Sequence, residues 1–286
     1  MLVSIVIPCK NEGENIVMTL ASLLASGNKV NYEVIVIDDG SDDDCCNGIA
    51  ERYEVVKLYR TEGIGAARAR NYGAGKAKGD ILIFCDAHLT FSEHWVDKLI
   101  PFLERYDAIS PGIGVMGELG IAGYGLVWDE NLKIQWYTKK PRAVKAVPLL
   151  PGGCLCIKRE VFEDIGGFDK GSIVWGHEDE EISLKLWLFG YSCCIYPEAL
   201  VLHKFRDQHP YKVTSEHVNY NFLRMAYSHF NEKRMLRVKA MMQDSLGYNE
   251  AVLKLSTRDM AEQRVRYFEK RKYDDDWFFS KFAIPF

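Results

Sequence analysis

Residues 81–89 read ILIFCDAHL. The apolar run Ile81–Cys85 has the length and β-branched content of a buried strand. It stops on Asp86 and His88, which as i and i+2 of an extended segment leave the backbone on one side and reach toward one object. For an isolated D-x-H, the plain alternative is a turn-forming aspartate beside a satisfied surface histidine. Three earlier runs share the strand pattern: LVSIVIP (2–8), YEVIVIDD (32–39) and EVVKLYR (54–60). Helix-like stretches separate them. EGENIVMTLASLLAS carries Ile16, Leu20, Leu23 and Leu24 at helical spacing, with Asn11 predicted to cap it and Gly27 to stop it; AARARNYGAGKAKG follows the third run. Strand and helix alternating over short loops predict an α/β fold with a mostly parallel sheet flanked by helices. Such sheets bind ligands at the carboxyl ends of their strands. Pro8 and Cys9, Asp38 and Asp39, and Asp86 and His88 therefore fall on one rim.

The chain has 286 residues, enough for one large domain or a domain with an appendage. With 48% hydrophobic residues and a net charge of −4 it sits among ordinary globular proteins, and it lacks the basic surplus of a nucleic-acid grip. No apolar run reaches bilayer length, and the start, MLVSIVIPCKNEGEN, has neither the basic region nor the cleavage site of a secretory signal. A cytoplasmic location is the expectation. Of the eight cysteines, none has C-x-x-C spacing and several fall in apolar runs. Reduced core thiols are expected, with a structural zinc site as the weaker alternative.

The middle of the chain is dotted with glycine. GGCLCIKR reads as a strand after a flexible loop, and REVFEDIGG as a short helix stopped by glycine. A helix starting near Glu178 is predicted to bury Ile182, Leu186 and Phe189, and SCCIYPEALVLHKFR to give two strand pieces with His203 at the end of the second. The expected division is residues 1–206 as one domain and 207–286 as a helical C-terminal extension serving acceptor, lid or oligomer contacts. The terminal WFFSKFAIPF is expected to pack on its own domain, with a homodimer contact, lid or membrane foothold as alternatives. His94, His209, His217 and His229 are read as solvated or locally bonded.

Chemistry concentrates on the rim. DDGSDDD (38–44) holds five acids in seven residues, and two acids closing a buried strand suit a base N–H or ribose hydroxyls. EGIGAARARNYG places a glycine loop before a helix bearing Arg68 and Arg70, and helix amino termini and guanidinium forks suit phosphate oxygens. No P-loop is present, and the dinucleotide fingerprint is missing after the first strand. Asp86 and His88 make sense as ligands of a divalent cation, Mn2+ (or Mg2+), with His203 in VLHKFR as third ligand and a diphosphate completing the shell. The ion would act as a Lewis acid on the leaving diphosphate.

VSIVIPCKNEGENI, VIDDGSDD, GIGAARARNYG, CDAH, GGCLCIKREVFEDIGGFD and WGHEDEEIS occur in the order found in family 2 glycosyltransferases, nucleotide-sugar enzymes of GT-A fold. The chain resembles that family over residues 1 to about 206. Its D-x-H and H-x-F-R are also similar to those of the polypeptide N-acetylgalactosaminyltransferases. The resemblance implies a metal-dependent transfer from a UDP-sugar to a peptide, protein, glycan or lipid-linked acceptor. It places Asp39 at the nucleobase with Asp38 beside it, Pro8 and Glu12 near the nucleoside, and Arg70 at the diphosphate. Asp86, His88 and His203 would hold the metal, Ala87 would lie within the nucleotide-sugar site, and Gly153 near sugar and acceptor. Asp179 would deprotonate the acceptor with Glu178 supporting it, implying inversion. Trp175 and His177 would line the acceptor side. For the acids of EDEE, the plainer role is to enrich a helix amino terminus in negative charge. Most family 2 members carry D-x-D where this chain has D-A-H, and the retaining polypeptide enzymes carry Asn where Asp179 stands. A nucleotidyltransferase on a related sheet and a non-catalytic carbohydrate- or peptide-binding module are the competing readings.

Overall fold

The computed structural model describes every residue except Leu119 and Ser256. The first half unfolds as the alternation predicts: β1 (Val3–Cys9), α1 (Asn15–Ala25), β2 (Tyr32–Asp38), α2 (Ile49–Arg52), β3 (Val56–Arg60), α3 (Ala66–Lys76) and β4 (Ile81–Cys85). Next come β5 (Leu89–Phe91), α4 (Trp95–Leu99), β6 (Ala108–Val115), β7 (Ala122–Gly123), β8 (Leu126–Trp128), β9 (Ile134–Trp136), β10 (Lys145–Ala146) and β11 (Cys154–Lys158). The chain then forms α5 (Arg159–Asp164), α6 (Glu178–Leu188) and β12 (Cys193–His203). It finishes in helices: α7 (Ser215–His229), α8 (Glu232–Met242), α9 (Tyr248–Leu255), α10 (Arg258–Lys270) and α11 (Asp275–Lys281).

The central sheet runs β10-β12-β6-β11-β4-β1-β2-β3. β1 pairs in parallel with β2 and β4, β2 with β3, and β6 with β12. Between those parallel groups lies β11, antiparallel to both β4 and β6. The reversal decides the site, because it brings the start of β11, rather than its end, to the rim where β1, β2 and β4 finish: Cys154 sits opposite Cys85. The rim is closed on the other side by β12, whose last residue His203 pairs with Leu89 of β5.

Burial on both faces explains the continuous apolar runs. Along β4, Ile81, Ile83 and Cys85 enter one core while Leu82 and Phe84 enter the other; Val34 and Val36 of β2 divide from Ile35 and Ile37 in the same way. The C-terminal helices complete the second core: Leu223, Met225, Phe230, Phe278, Phe279 and Ile284 join Phe84 and Leu155 there. The terminal aromatics thus pack on their own chain. No described helix is long and apolar enough to cross a membrane.

Three local expectations are corrected. Asn11 does not cap α1, which starts at Asn15 with no side-chain cap; Asn11 is left-handed (φ 53°), accepts the Asp42 N–H at 2.9 Å and donates to the Pro210 carbonyl at 3.2 Å. The two strand pieces before His203 are one strand, β12, with a register shift between Tyr196 and Leu200 that absorbs Pro197. His229 is not solvated: it is 1% exposed, bonded to Glu181 at 2.9 Å and stacked on Tyr267.

Candidate active site

Strand ends bring the predicted residues together. Asp86 follows β4, and its N–H donates to the Gly153 carbonyl at 3.0 Å across the junction with β11. The Lys204 N–H donates to the His88 carbonyl at 3.1 Å, so the end of β12 is tied beside the D-x-H. His203 Nε2 lies 3.3 Å from Asp86 Oδ2, and the two imidazoles meet edge to face with centroids 4.7 Å apart. One donor atom from each of Asp86, His88 and His203 falls within 4.8 Å of the others. Nδ1 of His203 is buried without a hydrogen-bond partner among the described residues. A carboxylate and two imidazoles converging in this way fit a divalent manganese or magnesium ion. Gly153 belongs to this geometry: a Cβ there would stand 3.1 Å from His203 Cδ2.

Arg70 joins the triad to the acids of α6. It is 5% exposed, with Nη2 2.9 Å from Asp86 Oδ1 and Nη1 3.1 Å from Glu178 Oε1, and its guanidinium lies 5.6 Å from the Phe168 ring centre. Burial alone would raise the Asp86 carboxyl, but the His203 hydrogen bond and the charge of Arg70 hold it well below the usual range. Ala87, between the triad residues, is buried.

Glu178 and Asp179 open α6 from a constrained turn. Val174 (φ 48°) and His177 (φ 63°) are left-handed without being glycine, a conformation that needs outside support. Asn221 of α7 supplies it. Its amide donates to the carbonyls of Ile173 (2.8 Å), Trp175 (3.2 Å) and Gly176 (3.0 Å), while its oxygen accepts the Ile173 N–H at 2.9 Å. From the opposite side the Ala66 N–H donates to the Val174 carbonyl at 2.8 Å; Gly65 (φ 92°) leaves room for that approach, since a Cβ would meet Val174 N at 2.8 Å. The Asp179 carboxylate accepts the Gly152 N–H at 3.2 Å and its neighbour Glu180's N–H at 3.0 Å. Burial, then the charges of Glu180 and Glu178, push its pKa up to about 7. A small cleft between Arg70, Gly152, Glu178 and Asp179 opens beside it.

The remaining predicted residues occupy the same rim or its edges. Asp39 is buried and accepts from Thr61 Oγ1 (2.6 Å), Ile64 N (2.7 Å) and Gly65 N (2.8 Å); Asp38 accepts the Ser41 N–H at 2.8 Å. Pro8 lies in β1, one residue before its end. Glu12 is buried 3.2 Å from His88 Nδ1. Trp175 is exposed against the His209 ring (centroids 4.3 Å apart), and His177 packs its ring on Phe222 and hydrogen-bonds Glu180. Two residues outside the predicted set complete the rim. Arg206 contacts His88 and reaches Glu12 Oε1 at 2.7 Å, and its signal is the last letter of the H-x-F-R already singled out. Asn221 has no motif, because its role depends on where α7 docks.

A glycosyl transferase family 2 model matches residues 4–166, and a second model, described as the N-terminal domain of galactosyltransferase, matches residues 138–209. The chain belongs to glycosyl transferase family 2. Among this family member's relatives, polypeptide N-acetylgalactosaminyltransferase 8 of Drosophila melanogaster is 34% identical over 226 residues, covering 72% of this chain and 38% of the relative. Polypeptide N-acetylgalactosaminyltransferase 13 of Homo sapiens is 31% identical over 252 residues, covering 78% and 45%. The chain therefore spans less than half the length of these curated relatives. Among solved structures, GalNAc-T7 with UDP, GalNAc and Mn2+ matches with a TM-score of 0.78 at 24% identity, covering 99% of this chain and 56% of that one. S. aureus TarS 1-349 with UDP-GlcNAc matches with 0.61 at 17%, covering 93% and 79%. Both likenesses establish the GT-A fold of the family 2 chain, including its C-terminal helices.

Proposed function

We propose that the protein transfers a sugar from a UDP-sugar to a hydroxyl of a peptide acceptor, with inversion at the anomeric carbon. The observation that carries the reading is the convergence on one rim of Asp86, His88 and His203 with Arg70 and Asp179. Asp86, His88 and His203 would hold a Mn2+ or Mg2+ ion, which when bound supplies charge neutralisation for the departing diphosphate. Arg70, fixed between Asp86 and Glu178, adds a positive charge that stays in place as the leaving group forms. Asp39 holds the glycine loop 63–65 in the shape that lets the donor's nucleoside end rest on the rim. Asp179 takes the proton from the acceptor hydroxyl, and its raised pKa matches a base working near neutrality. Peptide as the acceptor class is supported by the names of the relatives.

The test is incubation with UDP-N-acetylgalactosamine, UDP-N-acetylglucosamine and UDP-glucose, with Mn2+ or with chelator, in the presence of a serine- and threonine-rich peptide library. Metal-dependent sugar-peptide formed with inverted configuration is the expected result. A retained anomeric configuration would remove the base from Asp179. Absence of both transfer and slow donor hydrolysis would favour a binding module instead.

A further inference from the structure

Among the described residues, two groups bring three metal-capable side chains together: the rim triad and Cys9, Cys45 and Cys46. The second group plays no part in the proposed transfer. Its sulfurs come from two separate segments, the last residue of β1 and the acidic loop after β2. Their separations are 3.7 Å for Cys9–Cys45, 3.8 Å for Cys45–Cys46 and 3.4 Å for Cys46–Cys9. A tetrahedral zinc ion with thiolate bonds of about 2.3 Å requires sulfurs about 3.8 Å apart, so the three thiols already form one face of that tetrahedron.

We infer that Cys9, Cys45 and Cys46 bind a thiophilic divalent cation, zinc, with an oxygen as fourth ligand. The oxygen donors stand at the open edge. Ser41 Oγ lies 3.5 Å from Cys45 Sγ, and Asp43, whose carboxylate accepts the Gly13 and Cys45 N–H groups, follows in the same loop. Cys9 and Cys46 are buried while Cys45 is half-buried, which gives the ion an entry path on one side and a dry floor on the other. Asp38 and Asp42–Asp44 add negative potential around the cage. The thiols lose their protons to water as the metal enters. Among the described residues the other buried thiols lack this arrangement: Cys85 and Cys154 face each other at 3.9 Å across two paired strands and belong to no group of three ligands. Sulfur selects zinc where the carboxylate and imidazoles of the triad select manganese or magnesium, so the two sites sort metals by ligand softness. Bound zinc would pin the acidic loop to β1, directly behind Asp38 and Asp39.

The experiment is a cobalt titration of the full chain, stripped by chelator and held reduced. One equivalent should produce thiolate-to-cobalt charge-transfer absorption with intense tetrahedral d–d bands, bleached by zinc. The band should persist in His203→Ala, which disables only the triad, and vanish in Cys45→Ser. In the unaltered chain, zinc should slow alkylation of Cys45 at least tenfold, a readout that needs no variant to fold. Lack of a sulfur band, a band that survives Cys45→Ser, or undiminished alkylation would overturn the assignment. None of these readouts depends on sugar transfer, so either idea can fail alone.

Discussion

Two acidic pairs stand on the same rim and are treated oppositely. Asp38 closes β2, Asp39 follows it, and the oxygens of both are engaged: Ser41, Thr61, Ile64 and Gly65 all donate to them, and Arg60 approaches Asp38 at 3.5 Å. Glu178 receives the Gly176 N–H and Arg70, but Asp179, half-buried, has two backbone donors among the described residues and is flanked by Glu178 and Glu180. An aspartate therefore serves as scaffold in one place and, in the proposed transfer, as base in the other. Asp39 has three donors and Asp38 a nearby arginine, whereas Asp179 has two donors and acidic neighbours on both sides.

The contrast can be broken at graded cost. Asp86→Ala removes a proposed metal ligand and leaves Arg70 to Glu178 alone; turnover measured with UDP-sugar and Mn2+ should fall about a thousandfold or more. Unchanged turnover would disprove the triad. Arg224→Ala strikes the support instead. Arg224 makes a bidentate bond to buried Asp169 (2.7 and 2.8 Å). Stranding that carboxylate should lower unfolding stability by about 3–5 kcal/mol in urea titrations. Asp179→Asn keeps the shape but removes the proposed base, so transfer should drop about a hundredfold or more while UDP binding by calorimetry is retained. Because the raised pKa keeps Asp179 protonated in acid, kcat should rise about tenfold per pH unit below about 7 and level off above it, and the asparagine variant should lose that slope. The smallest effect belongs to the scaffold pair. Asp39→Asn weakens bonds to two backbone N–H groups and should cost about 1–3 kcal/mol of stability, raising the donor KM with kcat nearly unchanged.

The legible part of the fold was its repeating part. β1, β2 and β4 are buried on both faces, and a run such as VSIVIPC can satisfy two cores only as a strand. The triad was legible because the D-x-H and His203 close strands, where position along the chain fixes position on the rim. Strand direction is not written in hydrophobic pattern, so nothing in GGCLCIKR announced that β11 runs backwards. Buried charge was not legible for a different reason. Glu181 of α6 is buried with Lys185 and His229, and Asp169 with Arg224 and Gln263, sets that join the C-terminal helices to the sheet domain and that no local pattern announces. α6 carries the same lesson: Glu180, Glu181, Ser183 and Lys185 are as buried as the Ile182 and Leu186 that defined its expected face. Phe189, the third residue of that face, is buried just past the helix end.

Asn221 stands more than forty positions downstream of the turn whose three carbonyls it gathers. Exchanging the last eighty residues for those of a cousin would therefore not add an accessory to a finished catalyst. It would recast, from the outside, the bend on which Asp179 rides.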